Sequence, residues 1–403
     1  MDCFRHLVFR SCLLAGLAVV TLPGATAWPG WRGPQRNGVA PDGAAIADRL
    51  PSAADALVWE TTILEQGSAE THASPAIADG RVFVHTAAEV QYEEGGKTRK
   101  RSSAVLVCVA LADGRELWRH QSDGGCHNTP CVAGDKVLYV GDDGMLYCLL
   151  VDSGQEQWAT RVHKKKGTNC SPVVAGGIVV TVGGPRDLVG VSLDDGSELW
   201  QHRKMKIWNN SPVVWQHQGT SYVIVGNEEL SCIDPSDGSV LWTMPGTDRR
   251  KDPSSPAIHG DLMATMFEGS GLRVHRLSTA GAELVATAEQ FEAQGGGAHQ
   301  ATSPVFDGER VFGVDGDKTF CFDLAQQTMI WTGPKGDTHA SPILVGDKLL
   351  VRGKRDVMLF AAETGEQLGT NEMVAAYCSS FALSGSRVVA NCGLVVRCWD
   401  LSR

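Results

Sequence analysis

Apolar residues in this chain come in short runs separated by turn-forming pairs, with no stretch of helical periodicity of any length. Runs of this kind, rich in Val and Leu and bounded by Gly, Asp and Pro, predict strands. They also repeat as a unit. Segments opening on Ser-Pro or Thr-Pro recur at Ser74-Pro75, Thr129-Pro130, Ser171-Pro172, Ser211-Pro212, Ser255-Pro256, Ser303-Pro304 and Ser341-Pro342, with Ser380-Phe381 as a degenerate eighth copy. The spacings are 55, 42, 40, 44, 48, 38 and 39 residues.

Each unit follows one plan. A first apolar run ends in a tight turn (Asp79-Gly80, Gly134-Asp135, Gly176-Gly177, Gly260-Asp261, Asp307-Gly308 or Gly346-Asp347), and a second run follows, which is a hairpin by its turn chemistry. A third run leads to Asp113-Gly114, Ser153-Gly154, Asp195-Gly196, Asp237-Gly238 or Thr364-Gly365, and a fourth carries Trp118, Trp158, Trp200 or Trp242. Proline at the head of the first run fits a strand start, where a missing N–H is tolerated.

Four antiparallel strands in a repeat of about 40 residues predict an all-β propeller of four-stranded blades. Trp331 closes the sixth unit, while Val285 and Gly369 hold the same slot in the fifth and seventh. The eighth unit runs out at Leu401 without a fourth strand, and Leu57-Val58-Trp59-Glu60, ahead of the first unit, supplies it. An N-terminal strand closing the ring would remove both open edges. The expected count is eight blades, or seven if the degenerate last unit is not a blade.

The first 27 residues read as a signal peptide. Arg5 and Arg10 give a positive start, Leu13 to Leu22 an apolar core and Ala25-Thr26-Ala27 a small-residue cleavage site. The expected organisation is a signal at 1–27, a lead-in at 28–56 and the propeller at 57–403, exported to the periplasm or the cell exterior as a monomer. No other segment has transmembrane length. The composition, 43% hydrophobic and 20% charged, is that of an ordinary globular protein. A formal charge of −10 speaks against nucleic acid as a partner.

The run from Ala110 to Trp118, together with Asp195 to Trp200 and Asp237 to Trp242, resembles the tryptophan-docking repeats of the pyrroloquinoline quinone (PQQ) propeller superfamily. That superfamily includes PQQ-dependent alcohol and glucose dehydrogenases and the outer-membrane assembly lipoprotein BamB. The resemblance extends over nearly all of Leu57 to Arg403 and implies Trp59, Trp118, Trp158, Trp200, Trp242 and Trp331 as docking residues. The segment Trp28 to Gly38 is similar to the lead-in of many exported proteins with these repeats. Two departures stand out. The dehydrogenases carry a vicinal Cys-Cys pair and a catalytic Asp beside a calcium site, but this chain has no Cys-Cys dipeptide, and its nearest acidic pair, Asp315 and Asp317, reads as a hairpin turn. BamB-like proteins carry a lipidated cysteine after the signal, where Trp28 stands here.

Cysteines follow the repeat. Cys108, Cys148, Cys232, Cys321 and Cys398 share one slot, which Gly190, His275 and Leu359 fill elsewhere, so these thiols read as small buried hydrophobes. Cys126 and Cys170 precede neighbouring first strands and leave a disulfide open.

Candidate binding residues lie just before each Ser/Thr-Pro, where the chain enters the innermost strand. His72, His127, Asn169, Asn209, His339 and Cys378 share a position there. Four of them, His72, His127, His339 and Cys378, fall on consecutive units of the ring, as either a soft-metal site or a polar channel lining. Lys166, Lys206 and Arg250 share a register three residues earlier on consecutive units and form an electropositive sector suited to an anion, unless they are a solvated loop face. The charged insertion Glu93 to Arg101 reads as a loop. No nucleophile elbow, phosphate loop or zinc-protease helix motif occurs.

The leading expectation is therefore an exported, non-catalytic propeller that binds a protein partner or a small anionic ligand at its channel face, with no cofactor and no assigned catalytic residue. The alternative is a PQQ-dependent dehydrogenase of alcohols or sugars, using PQQ with calcium.

Overall fold

A computed structural model describes residues 27–65, 68–69, 73–123, 127–163, 169–184, 187–205, 207, 210–246, 254–267, 271–288, 302–315, 318–337, 339–373 and 379–402. Eight antiparallel sheets are arranged as an eight-bladed propeller, with one helical turn, Ala53–Ala56, before the first strand. Blade 2 shows the plan: Cys131–Ala133 innermost, then Lys136–Val140, Met145–Leu150 and Glu156–Arg161 outermost. Blades 1 and 3 to 7 begin with Ala76–Ala78, Val173–Ala175, Val213–His217, Ala257–His259, Val305–Phe306 and Ile343–Val345. Blade 8 contains Ala382–Ser384, Arg387–Asn391 and Val395–Asp400, and Leu57–Thr62 completes it from the other end of the chain, pairing Trp59 with Cys398 and Thr62 with Val395. The expected closure and the count of eight both hold.

The Ser/Thr of each Ser/Thr-Pro pair has a job the sequence pattern did not reveal. Its hydroxyl accepts the backbone N–H of the same residue one blade back: Ser74 N–H to Thr129 Oγ1, Thr129 to Ser171 Oγ, and so on through Ser211, Ser255, Ser303 and Ser341 to Ser380, each at 2.9 to 3.0 Å. A buried amide that Pro keeps out of the sheet ladder thus finds its partner in the neighbouring blade. The result is a belt of seven bonds that links all eight blades.

On the outside, each docking Trp reaches the next blade. The indole N–H groups of Trp59, Trp118, Trp158, Trp200, Trp242 and Trp331 donate to carbonyls of Leu111, Val151, Leu193, Pro235, Ser278 and Ala362. Five rings lie on the turn glycine of that blade. A Cβ on Gly114, Gly154, Gly196, Gly238 or Gly365 would come within 2.7 Å of the ring, and their positive φ suits glycine as well. Where Trp is missing the receiving side changes too: blade 5 has none, and the turn of blade 6 has Gln327 at φ 52 in place of glycine. Blade 7 has Gly369, and Leu50 of the lead-in packs over it with Asn371 Nδ2 donating to the Leu50 carbonyl at 3.4 Å.

The shared cysteine slot lies directly across the ladder from Trp: Cys108 pairs with Trp118, Cys148 with Trp158, Cys232 with Trp242, Cys321 with Trp331 and Cys398 with Trp59. These are buried free thiols, and burial pushes each up to about 12. The slot selects for small volume under the indole, which is why Gly190 stands opposite Trp200, where a Cβ would fall 2.1 Å from the ring.

Blade 1 departs from the others. The segment Glu93 to Arg101, read from its charges as a loop, belongs instead to a ribbon of two 14-residue strands, Arg81–Glu94 and Lys97–Ala110, paired out to Glu94 and Lys97. Ser68–Ala69 adds to its edge at Ala88 and Glu89.

Candidate functional site

Each innermost strand starts at its Ser/Thr-Pro and ends in its tight turn, so the channel has two unlike ends. The turn end is crossed by the lead-in. Trp28 and Ile77 exchange two backbone bonds at 2.8 Å, and Val132 N–H donates to Pro29 O at 2.6 Å. The chain then turns, and Phe306 N–H donates to Asn37 O, Leu344 N–H to Gly38 O and Ala47 N–H to Leu401 O. Asn37 Nδ2 returns a bond to Phe306 O at 3.2 Å. Arg32 points inward: its guanidinium is buried and donates to Pro256 O at 3.1 Å and to Pro304 O. Burial pushes this group down to about 9, still charged at neutral pH. The lead-in thus contacts blades 1, 2, 5, 6, 7 and 8.

At the opposite end the blade-to-blade connections enter, and the ribbon of blade 1 projects, with Gln91 to Lys100 exposed along its length. Beneath that mouth lies a layer of buried polar groups bonded to one another. His85 Nδ1 donates to Asn128 O at 3.3 Å, and Asn128 bonds both ways with the Val140 backbone. Asn391 Nδ2 reaches Ala73 O and His85 O, Arg352 Nη1 donates to Ser379 O at 2.6 Å, and Ser379 Oγ to Asn391 O. Burial pushes His85 down to about 3, with the neighbouring His127 adding to the effect, so the imidazole is neutral. Asp337 sits beside Arg352 and His339. Burial would raise its carboxyl, but bonds from the His339 side chain and backbone and the Arg352 charge hold it below the usual range.

Of the residues singled out from the sequence, His72, Asn209, Cys378, Lys166, Lys206 and Arg250 lie outside the described residues, as does Cys126. His127 is half-buried beside His85, Asn169 is exposed, and His339 is exposed and paired with Asp337 at 3.5 Å. Among the described residues no three of His, Cys, Asp and Glu gather as a metal site. Asp315 pairs with Lys318 across the hairpin end, in keeping with its reading as a turn. Sequence reasoning gave no role to Arg32, Arg36 and Asn37; two arginines and an Asn within a Pro- and Gly-rich lead-in were the only signal.

Comparison with known proteins completes the picture. Residues 49–245 and 211–371 match the family model of the outer membrane protein assembly factor BamB. The chain belongs to this family. No curated protein matches it. Among solved structures, BamB from Moraxella catarrhalis is 12% identical, with 85% of this chain and 98% of that one covered and a TM-score of 0.62. Quinohemoprotein alcohol dehydrogenase from Comamonas testosteroni is 11% identical over 94% of this chain and 81% of its own, with a TM-score of 0.65. The computationally designed protein Ika8 is 11% identical, covering 86% and 99%, with a TM-score of 0.63. At these identities what this BamB-family chain shares with them is the propeller itself, which hosts unrelated functions. No helix among the described residues is long and apolar enough to cross a membrane.

Proposed function

We propose that this BamB-family chain is an exported, non-catalytic scaffold that binds a protein partner, through an acidic segment, at the end of the channel where the blade connections enter. The observation that carries this reading is the lead-in. It covers much of the turn end with backbone bonds to blades 1, 2, 6, 7 and 8, whereas the other face carries the exposed ribbon of blade 1 and is the one to which a protein partner has broad access. The polar groups under that mouth are bonded to one another, so they serve as a rigid floor. On this reading Lys166, Lys206 and Arg250 supply the electropositive sector, with lysines as point charges and arginine able to grip a carboxylate with two parallel bonds.

PQQ chemistry finds little support in the residues present. The chain lacks the Cys-Cys dipeptide, and its described residues bring no acidic cluster together. No step is therefore derived through that cofactor.

The experiment is a pair. Protein incubated with PQQ and calcium should show no quinone absorbance after desalting and no dye-linked oxidation of alcohols or sugars; turnover would overturn the reading. The triple reversal Lys166→Glu, Lys206→Glu, Arg250→Glu should abolish binding of a poly-glutamate probe at low ionic strength with the fold retained. Undiminished binding would remove the sector from the site.

A further inference from the structure

The seal made by the lead-in is incomplete. In every blade the residue two places after the Ser/Thr-Pro proline is apolar, and in the hairpin it falls in a non-hydrogen-bonded pair: Ile77 with Val82, Val132 with Val137, Val174 with Val179, Val214 with Val223 and Ile258 with Met263. In such a pair the backbone N–H and C=O turn away from the partner strand, here toward the channel axis. The lead-in takes these groups in blades 1, 2, 6 and 7, meets blade 8 at Leu401 rather than at Leu383, and leaves those of Val174, Val214 and Ile258 in the three adjacent blades 3 to 5.

A pocket of about 540 Å³ occupies this gap. That volume lies in the range of small-molecule sites. Its walls are Val132, Val174, Val214 and Ile258 on the blade side and Gly33 to Arg36 on the lead-in side. Gln216 adds a polar rim from the hairpin of blade 4, which runs two residues longer than its neighbours and is tied to Asp261 of blade 5 by Trp215 and His217.

Arg36 makes this more than an apolar recess. Its side chain lines the pocket and the residue is only 9% exposed. Nη2 donates to Cys131 Sγ at 3.2 Å, a weak acceptor, while Nη1 is buried with no hydrogen-bond partner. Among the described residues no carboxylate pairs with it. A cation held in this way is costly unless something compensates the charge. Gly30 keeps the space open, since a Cβ there would sit 3.3 Å from Nη2.

We propose that this pocket binds a carboxylate with an apolar body, the carboxylate on Arg36 and the body against Val132, Val174, Val214 and Ile258. The C-terminus of an apolar peptide and a free aryl or alkyl acid share that chemistry. The peptide has an added match, because its carbonyls can accept the inward N–H groups that the lead-in accepts elsewhere. This site is at the opposite end of the channel from the partner-binding face, so the two proposals stand or fall separately.

The test is calorimetric titration of the full mature chain with acetyl-Val-Val-Leu as the free acid, with its C-terminal amide and with 4-phenylbutyrate. The acid should bind at least tenfold more tightly than the amide, and Arg36→Met should erase that difference. Val214→Phe, which narrows the pocket from the blade side, should abolish binding while the melting temperature holds. Phenylbutyrate matching the peptide acid would assign the site to free acids, and weaker binding would assign it to chain termini. Equal binding of acid and amide, or binding that survives in a folded Val214→Phe protein, would overturn the proposal; the second variant decides the matter if Arg36→Met does not fold.

Discussion

Trp59 lies on Gly114 across the seam where the two ends of the ring meet: its indole N–H donates to Leu111 O at 2.9 Å, and a Cβ on Gly114 would fall 2.7 Å from the ring. Blade 8 is thus fastened to blade 1 by the contact that fastens blades 1 to 3 and 6 to their successors. Trp59→Ala should lower stability by about 3–5 kcal/mol, the usual cost of emptying a buried aromatic site. Gly114→Ala should cost more than about 1 kcal/mol, since it meets the ring and sits at φ 73. Chemical denaturation checks both; a Trp59→Ala protein with an unchanged midpoint would mean that the seam is held by the strand alone.

The belt of Ser and Thr hydroxyls gives a second expectation. Ser211→Ala leaves the buried Ser171 N–H without its acceptor at 2.9 Å and should cost about 1–3 kcal/mol. Ser211→Thr keeps the hydroxyl, as Thr129 does naturally in blade 2, and should stay close to the parent. If the Ala and Thr variants melt together, the hydroxyl contributes nothing.

Acid should weaken the protein through its buried histidines. Burial pushes His85 down to about 3 and His275 to about 4. Below the ordinary value near 6.5 the unfolded chain takes up a proton that the folded chain refuses until those lower values, so stability falls as pH drops from 6.5 toward 4. For His85 alone the loss reaches about 2 kcal/mol by pH 5. His85→Gln should flatten the acid side of a melting-temperature profile taken from pH 7 to pH 4.5; a profile of unaltered slope would show that His85 accepts its proton in the folded state.

The blades were legible in the sequence because their contacts recur with a period. Pro, turn glycine and Trp reappear at fixed offsets, and even the missing fourth strand of the last unit could be traced to Trp59. The lead-in left no such trace. Arg32 reaches Pro256 and Pro304, and Asn37 reaches Phe306, through backbone groups hundreds of positions away, so no local alternation marks them. The ribbon of blade 1 misled for a different reason. Its outer half is exposed on both faces from Gln91 to Lys100, so the polar and apolar alternation that announces a strand is absent there. The candidate site divides along the same line: the position of His127 and His339 before the innermost strands could be counted from the repeat, whereas the buried guanidinium of Arg36, with no carboxylate against it among the described residues, emerges only once the fold has carried it to Cys131.

The pairing of Leu57–Thr62 with Val395–Asp400 also sets an order of events in time. Ribosomes make Leu57–Thr62 early, yet among the described residues its only ladder partner is Val395–Asp400 of blade 8. Closing so long a loop is entropically slow, and topologies dominated by such distant pairings fold late. Until that final strand arrives, Trp59 has no sheet to hold it over Gly114, and the lead-in has no Leu401 to receive Ala47. The nascent ring therefore waits with Leu57–Thr62 unpaired while the lead-in ahead of it is already bonded to blades 1 and 2.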